Sequence, residues 1–248
     1  MTRPITPDLV YHINTVGDPT LSTDGTLLAY ALGWVDQESL ESRSRIILMD
    51  LSTGSRQEFT QGQKDSAPEF SPGGRQLAFL RSGGDGAAQI WVMGVDGGEA
   101  RQLTHAAKGV LDYAWSPDGK TLAFTSNRSG SPQVFLMDVT GKNIRRITFE
   151  GRYNSSPAWS PKGDLIAFNG MNKGEFKLFV IRPDGTGARR LTSVTGGQSD
   201  PAWSPDGRFL AFTLERGRKS VYLMNLASGF LRRLGGGESP AWSPRRKK

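Results

Sequence analysis

The chain has 248 residues, a formal net charge of +7 and no cysteine, with 36% hydrophobic and 22% charged residues. This composition is that of a soluble globular protein of one large or two small domains, and the missing cysteine excludes disulfides and thiolate metal sites. The basic residues are spread along the chain and no nucleic-acid module is recognisable, so we expect no nucleic-acid partner. No long apolar run predicts membrane insertion.

The first residues do not resemble a secretion signal. MTRPITPDLVYHINTV lacks the continuous apolar core of a signal peptide, so the chain as written is expected to stay in the cytoplasm. A periplasmic protein whose leader has been removed is the alternative. We expect residues 1–17 to form an N-terminal segment with at most one helical turn, followed by a single domain over residues 18–248.

A repeat with a period in the forties organises that domain. Its mark is a Ser-Pro-Asp-Gly-like turn, whose serine recurs at intervals of 49, 45, 44, 44 and 39 residues. Units of this length that contain only strand and turn signals are typical of β-propeller blades. The marker serines are Ser22, Ser71, Ser116, Ser160, Ser204 and Ser243. The expected repeats lie near 18–64, 65–110, 111–154, 155–198 and 199–237, with a closing strand at 239–244.

Each repeat carries four strand signals, which we name A to D. In the third repeat they are YAWS (113–116), LAF (122–124), VFLMDV (134–139) and RRIT (145–148). Between A and B, Ser suits the first position of a type I turn, Pro presets φ at the second, Asp suits the third and Gly the fourth. The predicted fold class is therefore all-β, a β-propeller of four-stranded blades.

Strand A ends in a large apolar residue in every copy. We expect these side chains to pack between blades, with stacking on a ligand as the alternative. The residues are Leu21, Phe70, Trp115, Trp159, Trp203 and Trp242.

Two resemblances together cover nearly the whole chain. Residues 111–244, through YAWSPDGKTLAFTSNRSGSPQVFLMDV and DPAWSPDGRFLAFT, resemble the WD40-like propeller repeat of TolB-type proteins. ITPDLVYHINTVGDPTLSTDGTLLAYAL (5–32) and QIWVMGVDGGEARQLT resemble the propeller of prolyl-oligopeptidase-family enzymes, particularly the acylaminoacyl-peptidase types. Divergence within one natural protein and a hybrid or engineered chain both explain the change along the sequence.

The resemblances imply different functions. A TolB-type propeller implies a non-catalytic scaffold that binds protein or peptide partners, here a peptidoglycan-associated lipoprotein and Tol components in the periplasm. The peptidase resemblance implies an isolated propeller that gates substrate entry to a hydrolase domain. An engineered propeller without native function is the third alternative.

Ring closure follows from the number of strands. Five A–B–C–D units precede one extra strand A at Ala241–Ser243. Because the first unit already owns a strand A at Pro19–Ser22, the extra strand either displaces it and closes five blades, which we favour, or begins an unfinished sixth blade. An unfinished blade leaves an open edge, which allows self-association.

Catalytic signals are missing from the sequence. The two histidines, His12 and His105, show no metal-ligand spacing, and neither a G-x-S-x-G elbow nor a phosphate-binding fingerprint occurs. We expect no catalytic residue, no metal site and no cofactor, and hence no enzyme activity.

Carboxylates recur four residues before several marker serines, at Asp18, Asp112 and Asp200, with Asp65 and Glu238 close in sequence. If strand A is innermost, as in propellers generally, these five side chains surround one mouth of the channel. Such a mouth is suited to a hard cation or to a basic side chain of a peptide. The favoured alternative is that each Asp caps its own turn.

Basic pairs mark strand D, at Arg145–Arg146, Arg189–Arg190 and Arg232–Arg233. We expect a solvated rim that discourages edge-to-edge pairing, with an anion site as the alternative. The basic tail Arg245–Lys248 is expected to be disordered.

Overall fold

The computed structural model describes residues 7–84 and 86–242. Twenty strands of this part form five four-stranded antiparallel sheets, here called blades 1 to 5 in chain order. The described helical structure is one 3₁₀ turn, η1 (Pro7–His12), and no described helix is both long and apolar enough to cross a membrane. The predicted fold class is confirmed: the protein is all-β, with the five four-stranded blades of a β-propeller.

The chain divides into two compact units, the first ending at Gln102 and the second beginning at Leu103. Blades 1 and 2 belong to the first unit, and their strands are hydrogen-bonded in chain order. Blade 1 contains β1 (Thr15–Leu21), β2 (Leu27–Val35), β3 (Ser42–Asp50) and β4 (Arg56–Glu58). Blade 2 contains β5 (Asp65–Phe70), β6 (Gln76–Ser82), β7 (Ala88–Gly94) and β8 (Arg101–Gln102).

The second unit contains the other three blades, with the same order of strands. Blade 3 contains β9 (Val110–Trp115), β10 (Thr121–Ser126), β11 (Gln133–Asp138) and β12 (Arg145–Arg146). Blade 4 contains β13 (Asn154–Trp159), β14 (Ile166–Asn172), β15 (Glu175–Ile181) and β16 (Arg189–Arg190). Blade 5 contains β17 (Gly197–Trp203), β18 (Phe209–Arg216), β19 (Arg218–Asn225) and β20 (Leu231–Gly236).

The turn between strands A and B follows the predicted chemistry. In blade 3 the N–H of Gly119 donates to the carbonyl of Ser116 at 2.9 Å, and Gly119 has the positive φ that glycine tolerates. The buried Ser116 hydroxyl accepts from the N–H of Thr121 at 2.9 Å and donates to Asp118 at 2.6 Å. One serine thus fixes both the turn and the start of the next strand.

Strand A carries a β-bulge next to proline in four blades. In β1 the register passes from Gly17↔Ala31 to Thr20↔Ala29, so Asp18 and Pro19 oppose a single residue. Proline has no N–H to donate to the neighbouring strand, and at a bulge that hydrogen bond is not required. The residues before these prolines all have positive φ, between 48° and 55°: Asp18, Ala67, Ser156 and Asp200. Blade 3 has no proline there, and its register shifts instead between Val110 and Asp112.

Strands B and C supply most of the core, and their central residues are buried on both faces. In unit 2, Ala123 and Leu136 of blade 3 pack in one cluster with Ile166 and Phe168 of blade 4. The small alanine on one blade makes room for the aromatic ring of the next. Burial on both faces explains why these strands are continuous apolar runs and do not alternate.

Three of the repeated tryptophans pack against the blade cores, whereas Trp242 and Leu21 at the equivalent positions are exposed, so the expected packing is wrong for these two. Trp115 is buried, and Trp159 and Trp203 lie against the clusters of blades 3–4 and 4–5. The indole N–H of Trp203 donates to the carbonyl of Ala158 in the preceding blade at 3.0 Å. Trp242 makes the equivalent bond to Ala202 at 3.0 Å.

The last described residues, 237–242, form no strand. Ser239 nevertheless has a positive φ of 51° before Pro240, as the residues at the other bulges do. Residues 239–242 therefore lie against blade 5 much as a strand A lies against the blade before it. Residues 243 and 244 and the basic tail lie outside the described residues, so the closing strand at 239–244 stays a prediction. The displacement of the first unit's strand A by Ala241–Ser243, which we favoured, is wrong, because β1 is paired with β2 in blade 1.

Candidate functional site

Four of the predicted carboxylates lie within A strands, Asp65 at the start of β5 and the others further along, and Glu238 follows the last strand. In unit 1, Asp18 Oδ2 accepts a hydrogen bond from the backbone N–H of Ala67 at 2.9 Å. Ala67 occupies in blade 2 the position that Asp18 occupies in blade 1, four residues before the marker serine. Asp18 therefore connects two equivalent bulges and does not cap its own turn.

Asp112 makes the same connection in unit 2. Its Oδ2 accepts from the backbone N–H of Ser156 in blade 4 at 3.0 Å, while its Oδ1 accepts from the hydroxyl of Thr125 on the neighbouring strand. Burial raises the pKa of the Asp112 carboxyl, and these hydrogen bonds oppose the rise. A carboxylate placed this way satisfies a backbone donor between two blades.

Asp200 is connected to Ser239 through the hydroxyl group of Thr213. Its Oδ2 accepts from the Thr213 hydroxyl at 3.0 Å, and the Thr213 oxygen accepts from the backbone N–H of Ser239 at 3.0 Å. The Ser239 hydroxyl also lies 3.4 Å from Asp200 Oδ2. Residues 239–242, here called the terminal segment, are thereby held by Ser239, which is equivalent in sequence to Ala67 and Ser156.

Asp65 is fully buried in a paired arrangement. Its two oxygens accept from Arg81 Nε and Nη2 at 2.7 and 2.8 Å, and its Oδ2 accepts from the N–H of Gly62 at 3.2 Å. The Arg81 guanidinium also lies 5.0 Å from the centre of the Trp91 ring. Two parallel hydrogen bonds to arginine are a strong, charge-assisted pairing for a buried carboxylate.

Glu238 pairs with a lysine of its own blade. Lys219 Nζ donates to Glu238, and this hydrogen bond together with the charge of Glu238 raises the pKa of Lys219. The charges of Glu215 and Asp200 contribute to the same shift. Asp200 and Glu238 both lie near Lys219. The ammonium group of Lys219 therefore occupies the place beside Glu238 where a bound cation was expected.

Within each compact unit, the contacts of these carboxylates hold the protein's own structure together. Three of the carboxylates bond the next repeat unit directly or through threonine, and two form ion pairs with Arg81 and Lys219. Among the described residues, no three acidic or histidine side chains are placed to hold a metal ion. The sequence signal that would have located these bulges is the proline inside strand A, because proline within a sheet is confined to edge strands, strand starts and bulges.

The aspartates of the A–B turns are a separate set from the carboxylates described above. The Ser22 hydroxyl donates to Asp24 and, with the backbone and side chain of Thr26, lowers the pKa of Asp24 to about 2. Equivalent serine hydroxyls lower the pKa of Asp118 and of Asp206. In their charged form, these carboxylates stabilise the turns through hydrogen bonds.

Comparison with known proteins identifies the repeat. The family model described as TolB beta propeller domain matches residues 12–244. The solved structure of TolB from Acinetobacter baumannii superposes with a TM-score of 0.75 at 28% identity, covering 94% of this chain and 58% of that one.

Curated relatives include both protein classes that the sequence suggested. An uncharacterized peptidase of Bacillus subtilis, YuxL, is 40% identical over 126 residues, which are 50% of this chain and 19% of the relative. The Tol-Pal system protein TolB of Methylobacillus flagellatus is 38% identical over 74 residues, 29% of this chain and 17% of the relative. The matched segments thus span less than a fifth of each relative.

Proposed function

The chain belongs to the TolB beta propeller domain family, and we propose that it is a non-catalytic scaffold that binds protein or peptide partners. The observation that carries this proposal is that the candidate acidic side chains are engaged in hydrogen bonds within the protein. The side chains that looked most like a reactive or metal-binding set, Asp18, Asp112 and Asp200, accept hydrogen bonds from the blades themselves. A propeller that uses these carboxylates to hold its own blades offers a rigid surface for recognition.

The partner class follows from the family resemblance. TolB from Methylobacillus flagellatus is named as a Tol-Pal system protein. We propose a peptidoglycan-associated lipoprotein as the partner, which requires a periplasmic location. Calorimetric titration with the lipoprotein's soluble domain tests this, with an unrelated periplasmic protein as control. Saturable binding of the lipoprotein alone supports the proposal, and equal or no heat from both proteins contradicts it.

A second function has its own support. The identity of 40% to the peptidase YuxL favours a propeller that gates substrate entry to a hydrolase domain. This alternative predicts affinity for a separately produced hydrolase domain of that class. The gene itself discriminates the two: continuation into a hydrolase domain supports gating, whereas a leader and a small extra domain support the TolB-like role.

The remaining expectations stay predictions. These are a cation or basic side chain bound by Asp18, Asp65, Asp112, Asp200 and Glu238, self-association through an open blade edge, and the lack of a nucleic-acid partner. The internal pairing of Asp65 and Glu238 argues that a ligand at these carboxylates would have to displace Arg81 or Lys219.

A further inference from the structure

Blade 5 carries an open groove that none of the contacts above involve. The groove has a volume of about 450 Å³, and its lining includes three arginines and no acidic residue. We call it the arginine groove and define it by Leu214, Arg216, Arg218, Ser220, Tyr222 and Arg233.

The strand register explains how the arginines come together. Arg216 lies opposite Arg218 across the β18–β19 hairpin, and Tyr222 lies opposite Arg233 on β20. Residues two apart on a strand share a face, so Arg218 and Tyr222 point to the same side of the blade. The odd-numbered neighbours, Glu215 and Lys219, belong to the other face. The hairpin therefore places its acid, Glu215, on the face opposite its arginines.

Two of the three guanidiniums are held in place. Arg216 donates through Nε and Nη2 to the carbonyl and hydroxyl of Thr195 at 2.8 and 2.9 Å. Arg233 donates through Nε and Nη2 to the Ser220 hydroxyl at 3.2 and 3.1 Å. Each keeps Nη1 for another acceptor, and both side chains are fixed before any ligand arrives, which lowers the entropy cost of binding.

In a comparable groove on blade 1, the arginines are paired with acidic residues. There Arg45 pairs with Glu58 and lies 4.2 Å from the centre of the Trp34 ring, and Arg43 lies 3.8 Å from a Glu41 oxygen. Acids of the same blade thus neutralise the arginines of that groove. The arginine groove of blade 5 has no such acid in its lining.

We propose that the arginine groove binds the carboxylate side chains of an acidic peptide segment. Guanidinium groups match carboxylates in shape and donate two parallel hydrogen bonds. Tyr222, whose ring stacks on Phe212 at 6.1 Å between centroids, supplies an apolar floor for the peptide. The choice of a peptide rests on the proposed partner-binding function, whereas the choice of carboxylate chemistry rests on the groove itself.

The test is an NMR shift titration of the labelled chain with a Glu-Ala-Glu peptide blocked at both ends. We expect shifts centred on Arg218 and Tyr222 and no binding of the matching Gln-Ala-Gln peptide. Arg218→Gln and Arg233→Gln should each raise Kd by about fivefold, the effect of losing one exposed charge pair. The control Arg208→Gln removes the same charge at the opposite end of β18, about 25 Å away, and should leave Kd unchanged.

Three outcomes would overturn the assignment. Equal loss of affinity in all three variants would show a general charge effect. Unchanged affinity in Arg218→Gln and Arg233→Gln would place the peptide elsewhere. Tighter binding of an oligothymidine, weakened by the same two substitutions, would assign the groove to nucleic acid. Failure of this titration beside successful lipoprotein binding would refute the groove and leave the scaffold function standing.

Discussion

The carboxylate of Asp112 accepts a hydrogen bond at 3.0 Å from the backbone N–H of Ser156, the residue that occupies the equivalent position in the next blade. Asp18 and Ala67 form the same pair in the first unit. A bulged strand leaves a backbone donor outside its own ladder. A carboxylate one repeat earlier satisfies that donor, which gives these aspartates a structural reason to recur.

Replacing Asp112 tests this structural role. Asp112→Ala leaves the Ser156 N–H and the Thr125 hydroxyl without their acceptor, so we expect a loss of about 1–3 kcal/mol in the free energy of unfolding. Asp112→Asn retains an acceptor oxygen for Ser156 and should lie within about 1 kcal/mol of the wild type. Urea denaturation measures both, and equal losses in the two variants would contradict the hydrogen-bond explanation.

The pH dependence of Asp112 has a defined sign. Because burial raises its pKa above the ordinary value of 3.8, the folded chain binds the proton more readily than the unfolded chain. Relative to Asp112→Asn, the wild type should therefore gain stability as the pH falls through the folded pKa towards 3.8. A relative loss of stability over that range would show that the charged form is the favoured one.

Asp24 should behave in the opposite way. Its pKa is lowered to about 2, mainly by the Ser22 hydroxyl, so its contribution is complete above 3.8 and is lost as the pH falls through about 2. An NMR titration of the Asp24 carboxyl carbon should give a midpoint near 2, and Ser22→Ala should move that midpoint upward. A wild-type midpoint near 3.8 would be incompatible with the turn described here.

Gly62 is required by the buried ion pair. A Cβ at this position would collide with Asp65 Oδ1 and Arg81 Nε, so Gly62→Ala must separate the pair. Disrupting a buried ion pair costs about 3 kcal/mol or more, which should appear as a lower urea midpoint. Gly73→Ala is the matched control, because its Cβ would meet nothing within 4 Å. Comparable effects of the two substitutions would rule out the collision as the cause.

Residues 239–242 make hydrogen bonds to the second unit, among them one from the Ser239 hydroxyl to Asp200. Ser239 N–H donates to Thr213 and the Trp242 indole to Ala202. Deleting residues 239–248 should lower the free energy of unfolding by about 2 kcal/mol relative to a chain lacking only residues 243–248. Light scattering over a range of concentrations reports whether either chain self-associates. No difference in stability between the two chains would refute the contribution of residues 239–242.

The sequence predicted the blades well because their signals are local. Serine, proline and glycine specify the A–B turn within a few residues, and strands B and C are apolar because both faces are buried. The partners of the carboxylates were not predictable in the same way. Spacing alone placed Asp18 and Asp112 at equivalent positions, but their bonds to Ala67 and Ser156 depend on a bulge and on the offset between neighbouring blades. The arginine groove likewise depends on register, because only strand pairing brings Arg233 beside Ser220.

The most direct test of the structural role of the carboxylates is amide hydrogen exchange at Ser156 and Ala67. In Asp112→Ala, exchange at Ser156 should accelerate by about tenfold, while Ala67 keeps its wild-type rate because Asp18 is intact. That selective change would show that each carboxylate protects one backbone donor of the next blade. An unchanged rate at Ser156 would contradict the account and return the carboxylates to the list of candidate ligand-binding residues.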